Sequence, residues 1–259
     1  MDLHSCALEA SDPLDTLDCP APVLQILAST ELRLGLRAWL ARASSGTQPQ
    51  FVFGASSRLG ARLQAGESAD VVLMAQIDLA QALLPEGETA LPIARDRLVL
   101  AARPDLRLTH GDLLQRLQSS TLRLGSALAD AGEESDPARI LFDRIDQAHP
   151  GVADMLRSRA RPLTSRGEPP SHRQVMELLV SGQMDVVIGL HSALRTLSQV
   201  ADVLAPPAPF GVEIIAGVAV LASGGPRRVA AERFVACLRG PEGQALLQRH
   251  GFEAVLPTL

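Results

Sequence analysis

Neither lysine nor tyrosine occurs in this 259-residue chain, and its 24 basic residues are all arginine. That absence removes the Schiff-base lysine, the lysine of a phosphate loop and the catalytic tyrosine, and several large enzyme classes go with them. A basic excess is missing too. The net charge is −5, and without a dense basic run there is no electrostatic footprint for nucleic acid, which is therefore not an expected partner. No uninterrupted apolar run approaches the roughly 18 residues needed to cross a bilayer. The three cysteines, Cys6, Cys19 and Cys237, lie far apart without the close pairs of a zinc or redox motif. Of these, Cys237 in RFVACLRG reads as a buried helix residue. Equally absent are a G-x-S-x-G elbow, a G-x-G-x-x-G cradle and any H-x-x-x-H or H-x-x-E-H spacing among His4, His110, His149, His172, His191 and His250. An enzyme, a cofactor and a directly bound metal are therefore not expected.

What is present is the composition of an ordinary folded protein, 46% hydrophobic and 20% charged. The length allows one large domain or two lobes of about 100 residues, each with its own core. Residues 1–21, with four Asp and one Glu, read as a disordered or flexible tail. They hold no apolar stretch of signal-peptide length behind a basic start. The chain is expected to be cytoplasmic if it is native and complete; otherwise a signal has been removed or replaced.

From Val23 onward a single unit recurs: apolar strand, hydroxyl turn, helix. VLQILA (23–28) leads through Ser29 and Thr30 into LRLGLRAWLARA, with Leu32, Leu36, Trp39 and Leu40 on one helical face. QFVFGA (50–55) leads through Ser56 and Ser57 into RLGARLQAG, which stops at Gly66. ADVVLMA (69–75) is continuously apolar, as a parallel strand covered on both faces should be. Successive units of this kind imply a doubly wound parallel sheet. RDRLVLAAR (95–103) reads as a long strand, and a second β–α set follows. It includes a helix opening at Ser135-Asp136-Pro137-Ala138, a helix closing at Gly182 and a buried strand MDVVIGL (184–190). EIIAGVAVLA (213–222) is a further strand, and residues 229–252 form a helical hairpin with Gly-Pro punctuation.

The chemistry concentrates at Ala28-Ser29-Thr30 and Ala55-Ser56-Ser57. A helix start offers unsatisfied amides and about half a positive charge, so two such ends facing one point make a small-anion site without any cation. In a doubly wound sheet these ends lie at the carboxyl edge, where ligands bind. The alternative is that the serines only cap their own helices.

FVFGASSRLGARLQAGESADVVLMAQ resembles the segment F-x-S-S-S-x-L-A-x-x-I-x-A-G-x-x-A-D-L-F of the molybdate-binding proteins of ABC transporters. ILASTELRLGL is similar to that family's first strand and serine turn, and RDRLVLAAR to its crossing strand. GQMDVVIGLHSAL is similar to its G-x-x-D-x-x-I-x-Y-x-S-D-A segment, and FVACLRGPEGQALLQRHGF to its C-terminal helices. The resemblance runs from about residue 23 to 255 and is weakest between 104 and 175. It implies a two-lobed α/β fold of the type II periplasmic-binding class, doubly wound, with helices on both faces. Lobe 1 would comprise 22–100 and 206–259, and lobe 2 would comprise 101–205, joined by two crossover strands.

The same resemblance implies a monomeric solute-binding protein that closes on a small tetrahedral oxyanion, molybdate or tungstate, and serves an ABC permease from the periplasm. Carried over by position, the ligand-binding residues are Ser29, or Thr30 if the turn is shifted by one, Ser56 with Ser57, the amide of Ala138, and His172. Leu190 falls where the family has its tyrosine, which removes a hydroxyl donor. Asp136 stands beside the Ala138 amide, where a carboxylate aimed inward would repel an anion; it could equally cap its own helix. An uncharged donor set tolerates dianions but penalises a protonated ligand, which needs an acceptor. Two other readings share the fold: a ligand sensor without a transport role, and a divergent member that binds an organic carboxylate against the more apolar Leu190 wall.

Overall fold

The computed structural model describes residues 23–40, 49–119, 121–128, 136–165 and 168–255. The predicted N-terminal tail, Cys6, Cys19 and Ser135 lie outside the described residues. The chain divides into two compact units, residues up to Arg95 together with Ile215–Leu259, and Asp96–Ile214. These boundaries differ by 5 and 9 residues from the expected divisions after 100 and 205.

Unit 1 is built from β1 (Gln25–Ser29), α1 (Arg33–Leu40), β2 (Gln50–Gly54), α2 (Ser56–Gln64), β3 (Val71–Met74) and α3 (Ile77–Gln81), closed by β9 (Glu213–Val220), α9 (Gly225–Arg239) and α10 (Pro241–Arg249). The strand order is β2-β1-β3-β9, with the first three parallel and β9 antiparallel to β3. Alternation along the strands explains why they read as unbroken apolar runs. Ile26, Ala28, Val71 and Leu73 pack on one face with Leu36, Phe234 and Leu247, while Leu27, Val72 and Met74 pack on the other with Leu59 and Ala80. Both faces are covered, so every strand position must be apolar. The helix expected to begin directly after Thr30 opens instead with a 3-10 turn at Thr30–Leu32. Gly66 stops α2 as predicted: at φ 95° its amide donates to Leu63 O at 3.0 Å. Asp70 staples three elements, accepting from the Gln25 amide at 2.8 Å and from Arg227 of α9 at 3.0 Å.

Unit 2 contains the later part of β4 (Leu91–Ala102), α4 (Leu113–Gln118), β5 (Leu124–Ser126), α5 (Pro137–Ala148), α6 (Val152–Arg159), β6 (Arg161–Pro162), α7 (His172–Val180), β7 (Val186–Leu190), α8 (His191–Leu194) and β8 (Asp202–Leu204). Its strand order is β8-β4-β7-β5-β6. Leu98, Leu100 and Ala102 face α5 and α6, whereas Val99 and Ala101 face Val175 and Leu179 of α7. β4 and β9 each run through a division between the units, as the crossover strands of the sequence reading do. Asp185 anchors the start of β7: Arg123 holds it through its amide and guanidinium at 2.7–2.8 Å, and Arg103 adds a contact at 3.2 Å. Cys237, expected to be buried, is half-buried on α9.

Candidate functional site

In unit 1 the chain brings Ser29 and Ser56 together. Ser29 ends β1, and its register partner on β2 is Gly54, two residues before Ser56. The two strand ends therefore deliver both hydroxyls to one place, with Ser29 Oγ and Ser56 Oγ 2.9 Å apart. Ser56 Oγ also accepts from the Ala75 amide, just past β3, at 3.2 Å. One side chain thus ties the carboxyl ends of three parallel strands. Both serines are buried, at 0% and 1% exposure.

The capping role expected of these residues is corrected. Ser29 occupies the cap position of the 3-10 turn but makes no side-chain cap bond; its hydroxyl donates to Glu31 Oε2 at 2.5 Å. Ala55, not a serine, is the N-cap of α2, and Ser56 and Ser57 are its first helical residues. For Ser56 the physical reason is that a residue already inside the first turn directs its hydroxyl sideways, toward a neighbouring strand end, instead of back onto its own amides. Leu59 donates to Ala55 O at 3.0 Å, so the amides of residues 56–58 precede the first bond of the helix. Ser57 is half-buried. Thr30 is 7% exposed, and its Oγ1 is buried with no hydrogen-bond partner among the described residues.

In unit 2 the expected Ala138 donor is committed elsewhere. Asp136 is the N-cap of α5, and its Oδ1 accepts the Ala138 amide at 2.9 Å. The carboxylate that threatened repulsion is instead the partner of that amide. His172 opens α7 behind a capping box formed by Ser171 and Gln174, and its side chain is exposed. Leu190 ends β7 opposite Leu98, 5% exposed, and belongs to the same apolar cluster as Ala138. It behaves as core.

Three residues escaped the sequence reading. Glu31 looked like an ordinary acidic residue of a first helical turn. Ser126 ends β5 at the carboxyl edge; its Oγ is buried and has no partner among the described residues. Asp96, the first residue of unit 2, accepts from the Arg97 amide at 2.8 Å and the Ser192 amide at 3.3 Å. Burial pushes its carboxyl above the ordinary carboxylate value, while the Ser192 and Arg97 hydrogen bonds and the neighbouring His191 pull the other way. A periodicity pattern could not single out any of the three, since each looks unremarkable in its own element. A groove of unit 1 lined by Leu84, Leu91, Val218, Val220 and Arg228 contains none of the predicted residues. Among the described residues no group of three His, Cys, Asp or Glu side chains is placed to hold a metal, and no helix is long and apolar enough to cross a membrane.

A family described as bacterial extracellular solute-binding protein has a sequence model that matches residues 24–253. No curated protein sequence matches the chain. Among solved structures it is similar to the periplasmic molybdate-binding protein of Azotobacter vinelandii, at 19% identity and TM-score 0.66, covering 91% of this chain and 100% of that one. The substrate-binding domain of a molybdenum ABC transporter from Clostridium difficile is similar at 17% identity and TM-score 0.61, over 90% and 99% of the two chains. The sulfate-binding protein of Mycobacterium tuberculosis is similar at 17% identity and TM-score 0.62, over 91% and 88%. The fold is the two-lobed α/β fold that the sequence implied.

Proposed function

Because the chain belongs to the bacterial extracellular solute-binding protein family, we propose that it captures a small tetrahedral oxyanion for uptake by an ABC transporter, with the Ser29 and Ser56 hydroxyls as its central ligands. The observation that carries this reading is the pair itself: two buried hydroxyls 2.9 Å apart at the carboxyl edge of a parallel sheet, beside the start of the nine-residue helix α2. That arrangement places hydroxyls, first-turn amides and a helix dipole where an oxyanion is stabilised without a cation. Thr30 Oγ1 is a third hydroxyl in the same turn. Molybdate and tungstate are the anions named by the sequence resemblance, and two of the similar structures are described as molybdenum or molybdate proteins. Family and fold are those of solute-binding proteins and not of enzymes.

The test is isothermal titration of the full chain with molybdate, tungstate, sulfate and phosphate, beside the Ser29→Ala, Ser56→Ala double variant. Saturable 1:1 binding by at least one anion, lost in a folded double variant, supports the reading. Binding that survives in the double variant, or no heat with any of the four, removes it.

A further inference from the structure

The groove of unit 1 lies away from the serine pair. It includes Val218 and Val220 in the second half of β9, where Val220 pairs with Val71 at the start of β3, whereas Ser29 ends β1 at the opposite edge of the same sheet. Leu84 and Leu91 reach it from the segment that leads into β4, and Val235 reaches it from α9. Together these side chains line a cavity of about 300 Å³. Liquid water allots about 30 Å³ to each molecule, so the space takes a ligand of roughly ten non-hydrogen atoms. Val218 and Val235 are buried, but Val220 is half-buried and Leu91 is 37% exposed, which leaves apolar surface for a ligand to cover. The polar lining carries a net charge. Arg228 donates from Nε to Glu232 Oε1 at 2.9 Å, and from Nη1 to Glu88 Oε1 at 3.5 Å and Ala222 O at 3.3 Å. One guanidinium thus serves two carboxylates, so one positive charge stands against two negative ones. Only one oxygen of each carboxylate is engaged by Arg228, and both side chains are partly exposed. An anion entering the groove meets both carboxylates and a cation that is already committed; an entering cation meets two acceptors.

We propose that this groove is a second ligand site, for a small primary amine with an apolar body. The hydrocarbon part covers Leu91 and Val220, and the ammonium group donates to Glu88 and Glu232. An ammonium has three hydrogens to give, and the Thr89 hydroxyl, which also lines the groove, is the third acceptor. Apolar contact supplies the affinity, while the two carboxylates select the sign of the ligand's charge. Because both carboxylates are partly exposed, solvent screens their attraction, and an amine is favoured over a neutral molecule of the same shape by about fivefold. A carboxylate-bearing ligand of that shape is repelled and binds more weakly still. The site stands apart from the oxyanion reading: no residue of the groove belongs to the serine pair, and the two sites take ligands of opposite charge.

The experiment is an NMR titration of the full chain, carrying isotope-labelled Leu and Val methyl groups, at neutral pH. Three probes of similar shape are compared: phenethylamine, phenethyl alcohol and hydrocinnamate. Phenethylamine is expected to saturate in the millimolar range and to move the methyl signals of Leu84, Leu91 and Val220, with phenethyl alcohol about fivefold weaker and hydrocinnamate weaker than both. The Glu88→Gln, Glu232→Gln double variant leaves Arg228 as the charge that lines the groove, so the order should reverse and hydrocinnamate should bind more tightly than phenethylamine. The assignment is overturned if phenethylamine does not saturate, if it moves only methyl signals outside the groove, or if either other probe binds the wild type as tightly. A folded double variant that keeps the wild-type order overturns it as well. Should the double variant fail to fold, the wild-type order and the position of the shifts decide alone.

Discussion

Replacing Ser56 with alanine probes two roles of one hydroxyl, and the structure sets a size for each. Ser56 is 1% exposed, and its hydroxyl serves both the Ala75 amide and Ser29. Its removal leaves a buried amide without its acceptor, a net loss of about 1–2 kcal/mol. At about 2–4 °C per kcal/mol for a chain of this size, the apparent melting temperature should fall by roughly 2–8 °C. In the complex, a hydroxyl donating to a charged ligand is worth about 1.5–3 kcal/mol, so affinity should fall by one to two orders of magnitude. An anion at about 100 times the wild-type Kd adds about 2.7 kcal/mol to stability; after a 30-fold loss of affinity, the same concentration adds only about 0.9 kcal/mol. The ligand-induced shift should therefore shrink from roughly 5–10 °C to roughly 2–3 °C. Thermal melts of wild type and Ser56→Ala, each with and without phosphate or molybdate at that fixed concentration, read both quantities. If the unliganded variant melts lower yet keeps its full ligand shift, Ser56 is only a latch between strand ends. Its hydroxyl would then not be a ligand of the anion.

Two glycines should respond in opposite ways to alanine. A Cβ on Gly243 would sit 2.2 Å from Leu238 O and 2.6 Å from Cys237 O, backbone atoms at the end of α9 that cannot yield cheaply. Gly243→Ala should cost about 3 kcal/mol or more, whereas Gly60→Ala, with nothing within 4 Å in the middle of α2, should stabilise by about 0.5–1 kcal/mol; urea titration of both variants decides. The Arg123 side chain on Asp185 holds its carboxyl below the ordinary value. Its contribution is present above the unfolded carboxylate pKa and lost as pH falls toward the lowered folded one, so Asp185→Asn should lose about 1–2 kcal/mol at pH 7 and much less near pH 2. Asp96 has the opposite sign. Its folded carboxyl is raised by burial, so its contribution to stability declines as pH rises from the ordinary carboxylate value through the raised one. Asp96→Asn should accordingly be within about 1 kcal/mol of wild type or more stable at pH 7, and should remove that part of the pH dependence; denaturant midpoints from pH 4 to 8 would show the reverse if Asp96 were stabilising as a charge.

How far the sequence went can be judged residue by residue. The strands were legible because parallel strands covered on both faces must be apolar throughout, and Val71–Met74 and Val186–Leu190 both show that demand directly. Helix ends were legible where a glycine must adopt positive φ, as at Gly66 and Gly182. These features depend on a residue and its immediate neighbours. The serines were visible as hydroxyls at strand ends, but their destinations were not. That Ser56 reaches Ala75 and Ser29 instead of its own helix depends on β1 lying between β2 and β3, a pairing across 19 and 27 residues that no local pattern encodes. Asp136 posed an ambiguity that only a distance could resolve, 2.9 Å to the Ala138 amide. Glu31 is two residues from Ser29 in the chain, yet whether its carboxylate turned to solvent or back to that hydroxyl is a rotamer choice that no periodicity pattern encodes. Secondary structure follows from local periodicity and backbone preference, so the sequence by itself determined the order of strands and helices. The direction of each hydrogen bond at the site depends on which strand ends the sheet makes neighbours, and only the tertiary structure decided it.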